Sequence, residues 1–131
     1  MDRAPDTVGG VMTRDVVTVS PDRPVEVAVR AMIDHDIGSV VVVEGERAVG
    51  VFTERDLTRR VLDDAGLLAR PVGEVMSGRT VTTEPGAEVV TAFELMNERS
   101  IRRLPVVENG RLVGIVTERD LLKWVGRVAT E

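Results

Sequence analysis

Slid against itself, the sequence matches at one offset, 64 residues, and this internal repeat constrains the fold more than any other feature. Val11-Met12-Thr13 falls on Val75-Met76-Ser77, and the match runs without a gap to Val61 on Val125. Of those 51 positions 21 are identical. They include Pro21/Pro85, Ala28/Ala92, Met32/Met96, Ile37/Ile101, Gly50/Gly114 and the run Thr53 to Leu57 on Thr117 to Leu121. Chance does not produce that. Two copies are too few for a solenoid, which needs about three, so they imply two similar halves packed around a pseudo-two-fold axis. The expected layout is a first repeat at residues 9–62, a linker at 63–74 marked by Gly66, Pro71 and Gly73, and a second repeat at 75–126.

Each repeat reads as β-α-β-β-α, an α+β fold. Val16 to Val19 is β-rich and stops at Ser20-Pro21. A helix is expected from about Pro24, because Pro suits a first helical turn. Val25, Ala28, Val29, Met32 and Ile33 then fall on one face, as do Val89, Ala92, Phe93 and Met96 in the second copy. Ser39 to Val43 is a continuous apolar run, the pattern of a strand buried on both faces. Turns follow at Glu44 to Arg47 and Glu108 to Arg111, the second with the hairpin dipeptide Asn109-Gly110. The returning strands are Ala48 to Phe52 and Leu112 to Val116, and closing helices start near Thr53 and Thr117. Residues 1–9 and 127–131 are expected to fray.

This layout accounts for the composition. Valine supplies 26 of 131 residues, as short covered strands require; the Val and Met stripe reads as core rather than pocket. The scarcities exclude whole classes of chemistry. Without Cys there is no thiolate nucleophile, disulfide or thiolate-held metal. With His35 alone, neither a triad nor a multi-histidine metal site can be built in one chain. One Trp, two Phe and no Tyr give no stacking platform for single strands, and a net charge of −5 opposes nucleic-acid binding over a broad surface. The longest aliphatic runs fall far short of the about 18 residues that span a bilayer. The opening MDRAPDTVGG lacks a signal-peptide core. The expectations are a cytoplasmic protein, no metal, no membrane, no nucleic acid and no catalysis. The basic residues are 16 Arg and one Lys (Lys123), which indicates no site by itself.

The doubled tetrapeptide Thr-Glu-Arg-Asp, at Thr53 to Asp56 and Thr117 to Asp120, stands where each last helix begins. Two readings apply, and they are compatible. Thr-x-x-Asp is close to a capping box, with hydroxyl and carboxylate closing the helix start. Alternatively, the hydroxyl bonds a ribose oxygen or phosphate. The carboxylate, which repels phosphate, then accepts hydrogen bonds from the 2′- and 3′-hydroxyls of a ribose.

The 64-residue repeat, the Val-Met-Thr/Ser openings, the segment Ile101 to Val107, the run Gly110 to Val116 and the paired Thr-Glu-Arg-Asp together resemble a tandem pair of CBS domains, the Bateman module. The resemblance covers residues 9 to about 125. It implies two repeats packed through their sheets, with two clefts that bind AMP, ADP, ATP, S-adenosylmethionine or NAD, and a disc-like homodimer. No cofactor is required; the adenine nucleotide is a regulatory ligand. Carried across, Asp56 and Asp120 grip ribose, with Thr53 and Thr117 as hydroxyl partners. The adenine lies between the first strand (Val17, Val81) and a second wall, Ile37-Gly38-Ser39-Val40 in one repeat and Ile101-Arg102-Arg103-Leu104-Pro105 in the other. Arg55, Arg102, Arg103 and Arg119 either meet phosphates or are solvated or paired with Glu54 and Glu118. The first repeat lacks the Leu104-Pro105 pair, having Val40-Val41, and offers the less charged wall.

His35, between two Asp at a helix end, reads as solvated. Trp124 either packs against a partner copy or covers the chain's own core. The function expected is a stand-alone energy or metabolite sensor, acting on an unknown protein in trans. The alternative is a structural or interaction dimer with unoccupied clefts.

Overall fold

The computed structural model describes residues 6–78 and 81–130. In chain order the elements are α1 (Val8–Val11), β1 (Thr18–Val19), α2 (Val25–His35), β2 (Ser39–Glu44), β3 (Arg47–Thr53), α3 (Glu54–Arg60), a 3-10 turn (Leu67–Ala69), α4 (Val72–Val75), α5 (Val89–Arg99), β4 (Arg103–Glu108), β5 (Arg111–Thr117) and α6 (Glu118–Ala129). They form two compact units. The central unit is Val17–Thr80; the terminal unit joins Met1–Val16 to Val81–Glu131.

In the central unit β1, β2 and β3 form one sheet in that order, β1–β2 parallel and β2–β3 antiparallel. Val40, Val41 and Val42 are all buried; successive side chains alternate faces, so this strand is covered on both, as its apolar run predicts. Val25, Ala28 and Met32 of α2 pack with Val40, Val42 and Phe52, while Ile33, expected on the same face, is 71% exposed. The hairpin places Val42 opposite Gly50 and Val43 opposite Ala48, leaving Val49 as an extra residue. Residues 63–74, read from sequence as a linker, contribute Leu67 and Val72 to this core, with Val75 just beyond.

The terminal unit repeats the plan with α5, β4, β5 and α6, and the same extra residue at Val113. Asn109 and Gly110 take φ of 53° and 81°, the positive pair that a two-residue hairpin turn requires. Its first strand differs: among the described residues it is reduced to one parallel bridge, Thr83 to Val106. The cause is Pro105. At the equivalent position in the central unit Val41 donates its N–H to the Val17 carbonyl, and proline has no N–H to donate.

A short arm closes each core. In the terminal unit the Val8 and Gly9 N–H groups donate to the Ala87 and Pro85 carbonyls, and Thr13 exchanges two backbone hydrogen bonds with Ile115. In the central unit Val72 and Gly73 donate to Arg23 and Pro21, and Ser77 exchanges with Val51. Gly114 and Gly50 admit these arms. A Cβ on Gly114 would lie 2.6 Å from Met12 Sδ and 3.0 Å from the Thr13 carbonyl oxygen. On Gly50 it would meet Met76 Sδ and lie 2.9 Å from the Ser77 oxygen. Residues 6–9, expected to fray, are thus tied down, with Val8 fully buried. The last helix continues through residues 127–129; residues 1–5 and 131 lie outside the described residues. No described helix is long and apolar enough to cross a membrane.

Candidate functional site

Both candidate sites begin where β3 or β5 passes into a helix. Thr53 and Thr117 are extended and cap α3 and α6. The Thr53 N–H and hydroxyl donate to Asp56 Oδ2 at 2.9 and 3.1 Å, and the Asp56 N–H donates to Thr53 Oγ1 at 3.2 Å. Thr117 and Asp120 show the same three distances. The capping reading is therefore realised in full, in both units.

Counting lone pairs shows what remains for a ligand. A carboxylate oxygen accepts about two hydrogen bonds, and Oδ2 already takes two. Oδ1 is left. In the central unit Oδ1 faces the Ser77 hydroxyl at 3.4 Å, and in the terminal unit the Thr13 hydroxyl at 3.5 Å. These two arm residues belong to the Val-Met-Thr/Ser openings, which carried the resemblance but were assigned no part in binding. Only their matching place in the repeat could have marked them.

The wall residues lie beside the helix starts. The ends of α2 and α5 are fixed by residues in left-handed backbone, Asp36 and Ser100, after which Ile37 and Ile101 donate back to Met32 and Met96. The chain then turns so that the Gly38 and Arg102 carbonyls accept from the Glu54 and Glu118 N–H groups, at 3.0 and 2.9 Å. Ser39 pairs with Thr53 and Arg103 with Thr117. Val17 joins its wall through the Val41 N–H, at 3.2 Å, and half-buried Val17 and Val81 each pack on the core of their own unit. Val40 and Leu104 are core residues, and Pro105 is buried as well; their side chains are not exposed at the surface. Ile37 is exposed, and Gly38, Ser39 and Ile101 half-buried.

The arginines divide. Arg102 approaches Glu118 at 3.9 Å, both side chains about two-thirds exposed, a weak pairing. Gly38, at the same place in the other repeat, leaves room that the Glu54 carboxylate occupies. Arg103 is half-buried, and Arg55 and Arg119 are exposed. Arg119 lines a groove of about 510 Å³ with Phe93, Glu118, Leu122 and Val125. Thr117 and Asp120 are not in that lining. Among the described residues no group of three His, Cys, Asp or Glu is placed to hold a metal. Trp124 covers the chain's own core, its ring 6.3 Å from Phe93 and its Nε1–H donating to Asp6 at 3.2 Å.

The chain is 44% identical over 124 residues to the uncharacterized protein MK0525 of Methanopyrus kandleri, matching 89% of this chain and spanning 61% of that protein. It is 38% identical over 115 residues to the CBS domain-containing protein YhcV of Bacillus subtilis, covering 88% of this chain and 82% of YhcV. Among solved structures it matches the CBS domain pair of protein MJ0100, in complex with 5′-methylthioadenosine and S-adenosyl-L-methionine. There the TM-score is 0.83 and the identity 23%, over 92% of this chain and 95% of that one. The CBS domain model matches twice, at residues 8–63 and 72–127, and the chain belongs to the CBS domain family as a tandem pair.

Proposed function

We propose that the chain is a regulatory module that binds adenosine-containing ligands (AMP, ADP, ATP, S-adenosylmethionine or NAD) and leaves them unchanged. One observation carries this reading: in both units a carboxylate is held rigidly by its own cap through Oδ2, with Oδ1 left to accept from a ligand hydroxyl. A phosphate is repelled there and a ribose hydroxyl is favoured. The MJ0100 pair, with the same fold, holds two adenosyl compounds, which supports the ligand class. The same reading takes the protein as a cytoplasmic homodimer that acts on a separate protein. Exposed Leu122, Val125 and Val128 along α6 support self-association.

Calorimetric titration with each of the five ligands tests the reading, with mass spectrometry of whatever leaves the purified protein on denaturation. A saturable heat with at least one ligand is expected. No heat, no thermal shift and no copurifying nucleotide would overturn it. The second reading, a structural dimer with empty sites, is favoured by the complete capping boxes, in which each acid already serves its own helix. A nucleotide found in the purified protein rules it out.

A further inference from the structure

We propose that the arm hydroxyls, Thr13 and Ser77, are specificity-determining residues that complete recognition of a vicinal diol with Asp120 and Asp56; this rests on the adenosine-binding reading. The saturated Oδ2 of each acid leaves one oxygen for a sugar. A single oxygen with one hydroxyl already beside it does not accept well from both hydroxyls of a ribose. The arm supplies a second polar atom next to it. Thr13 Oγ1 stands 3.5 Å from Asp120 Oδ1, and Ser77 Oγ 3.4 Å from Asp56 Oδ1.

Both contacts are slack, since a well-made O–H···O bond is about 2.7–2.8 Å. The hydroxyl is held near the carboxylate by its backbone rather than by this bond. Thr13 is pinned by its two-bond exchange with Ile115, Ser77 by its exchange with Val51, and glycines beneath admit both. The chemistry of the pair is complementary: Oδ1 only accepts, while a rotatable hydroxyl donates or accepts. Two adjacent sugar hydroxyls fit that pair, one donating to Oδ1 and its neighbour exchanging a hydrogen bond with Oγ. The donor–acceptor pair recurs in two units, with Thr in one and Ser in the other, from segments 107 and 21 residues away from their acids.

The experiment compares AMP with 2′,3′-dideoxy-AMP by calorimetry on the full chain. Its subjects are the wild type, the double variant Thr13→Val with Ser77→Ala, and the exchange variant Thr13→Ser with Ser77→Thr. In the wild type AMP should bind more tightly than the dideoxy compound. The double variant should bind AMP about three- to tenfold more weakly, the worth of one neutral hydrogen bond, with the dideoxy affinity unchanged. The exchange variant should restore the preference. If the double variant, folded by circular dichroism, keeps the wild-type ratio, the role of the arm hydroxyls is overturned while adenosine binding stands. If the wild type binds neither compound nor any other adenosyl ligand, both fall. If the double variant does not fold, the single variants Thr13→Val and Ser77→Ala decide: a weakened AMP preference in the folded single variants upholds the proposal, and the wild-type ratio in both overturns it.

Discussion

At the scale of single residues, Asp56 and Asp120 divide two tasks between two oxygens. The cap is local, three residues from hydroxyl to carboxylate, so it was legible in the sequence as Thr-x-x-Asp. The partner of the other oxygen was not. Nothing in Val-Met-Thr says that a hydroxyl 107 residues from Asp120 ends beside it. Asp120→Ala should lower stability by about 0.5–2 kcal/mol through loss of the cap. It should also weaken an adenosine ligand in that unit at least about tenfold, since the acceptor is removed with the charge. Thr117→Ala should cost stability in the same range of about 0.5–2 kcal/mol but leave Oδ1 in place, with a smaller loss of affinity. Urea denaturation and calorimetry on the two variants separate the tasks. Equal losses of affinity would mean that the acid acts only through the cap.

At the scale of elements, strands and hairpins followed from alternation and turn chemistry, and the places where the structure departs have local causes. Pro105 removes a donor, so the second copy of β1 shrinks to a bridge. Ile33 sits at the edge of its helical face and stays exposed. Gly50 and Gly114 are conspicuous within strands, but only the packed structure shows that arms cross them. Gly114→Val should destabilise the terminal unit by about 1–3 kcal/mol, as overpacking does. Met12 can swing aside, but the Thr13 carbonyl belongs to a paired backbone. Loss of hydrogen-exchange protection at Thr13 and Ile115, with Val51 and Ser77 unaffected, would locate the damage; protection unchanged at all four would refute the account. The stretch 63–70 is held by a different device. Asp64 accepts from the Gly66 N–H at 3.1 Å and from Arg70 Nε at 2.6 Å, which brings Leu67 to the core. The hydrogen bond from Arg70 is the main cause that holds the Asp64 carboxyl below its ordinary value; burial opposes it, and the Gly66 N–H adds to the lowering. The stability from this pair is therefore present above the ordinary carboxylate value, about 3.9, and is lost as pH falls through the lowered one. The gap in melting temperature between wild type and Asp64→Asn should be open near pH 6 and narrow as pH falls below about 3.9, and should shrink in high salt because the pair is exposed. A gap that widens in acid would contradict this.

At the scale of the whole molecule, the repeat in the sequence and the units in space are not the same partition. Sliding the sequence on itself pairs Val11-Met12-Thr13 with Val75-Met76-Ser77 as the openings of two copies. The structure instead closes the central core with the arm of the second copy and the terminal core with the arm of the first. The sequence could not decide this, because the arms are nearly identical and each carries the groups that either core needs. Twofold repetition hides the assignment of partners that chain connectivity alone must resolve. The consequence is a test by fragments. Residues 17–80 contain the whole central core, Val72 and Val75 included. Residues 1–64 contain the first copy and its own arm but lack Leu67, Val72 and Val75, and their arm has no β5 to bind. A chain of about 60 residues is marginal under the best conditions, burying only about 60% of its surface, so an open core at this size is decisive. The 17–80 fragment should melt cooperatively by circular dichroism, and the 1–64 fragment should show no transition. The reverse result would mean that an arm folds with the copy it opens, and that the exchange of arms is a late rearrangement rather than the basis of each core.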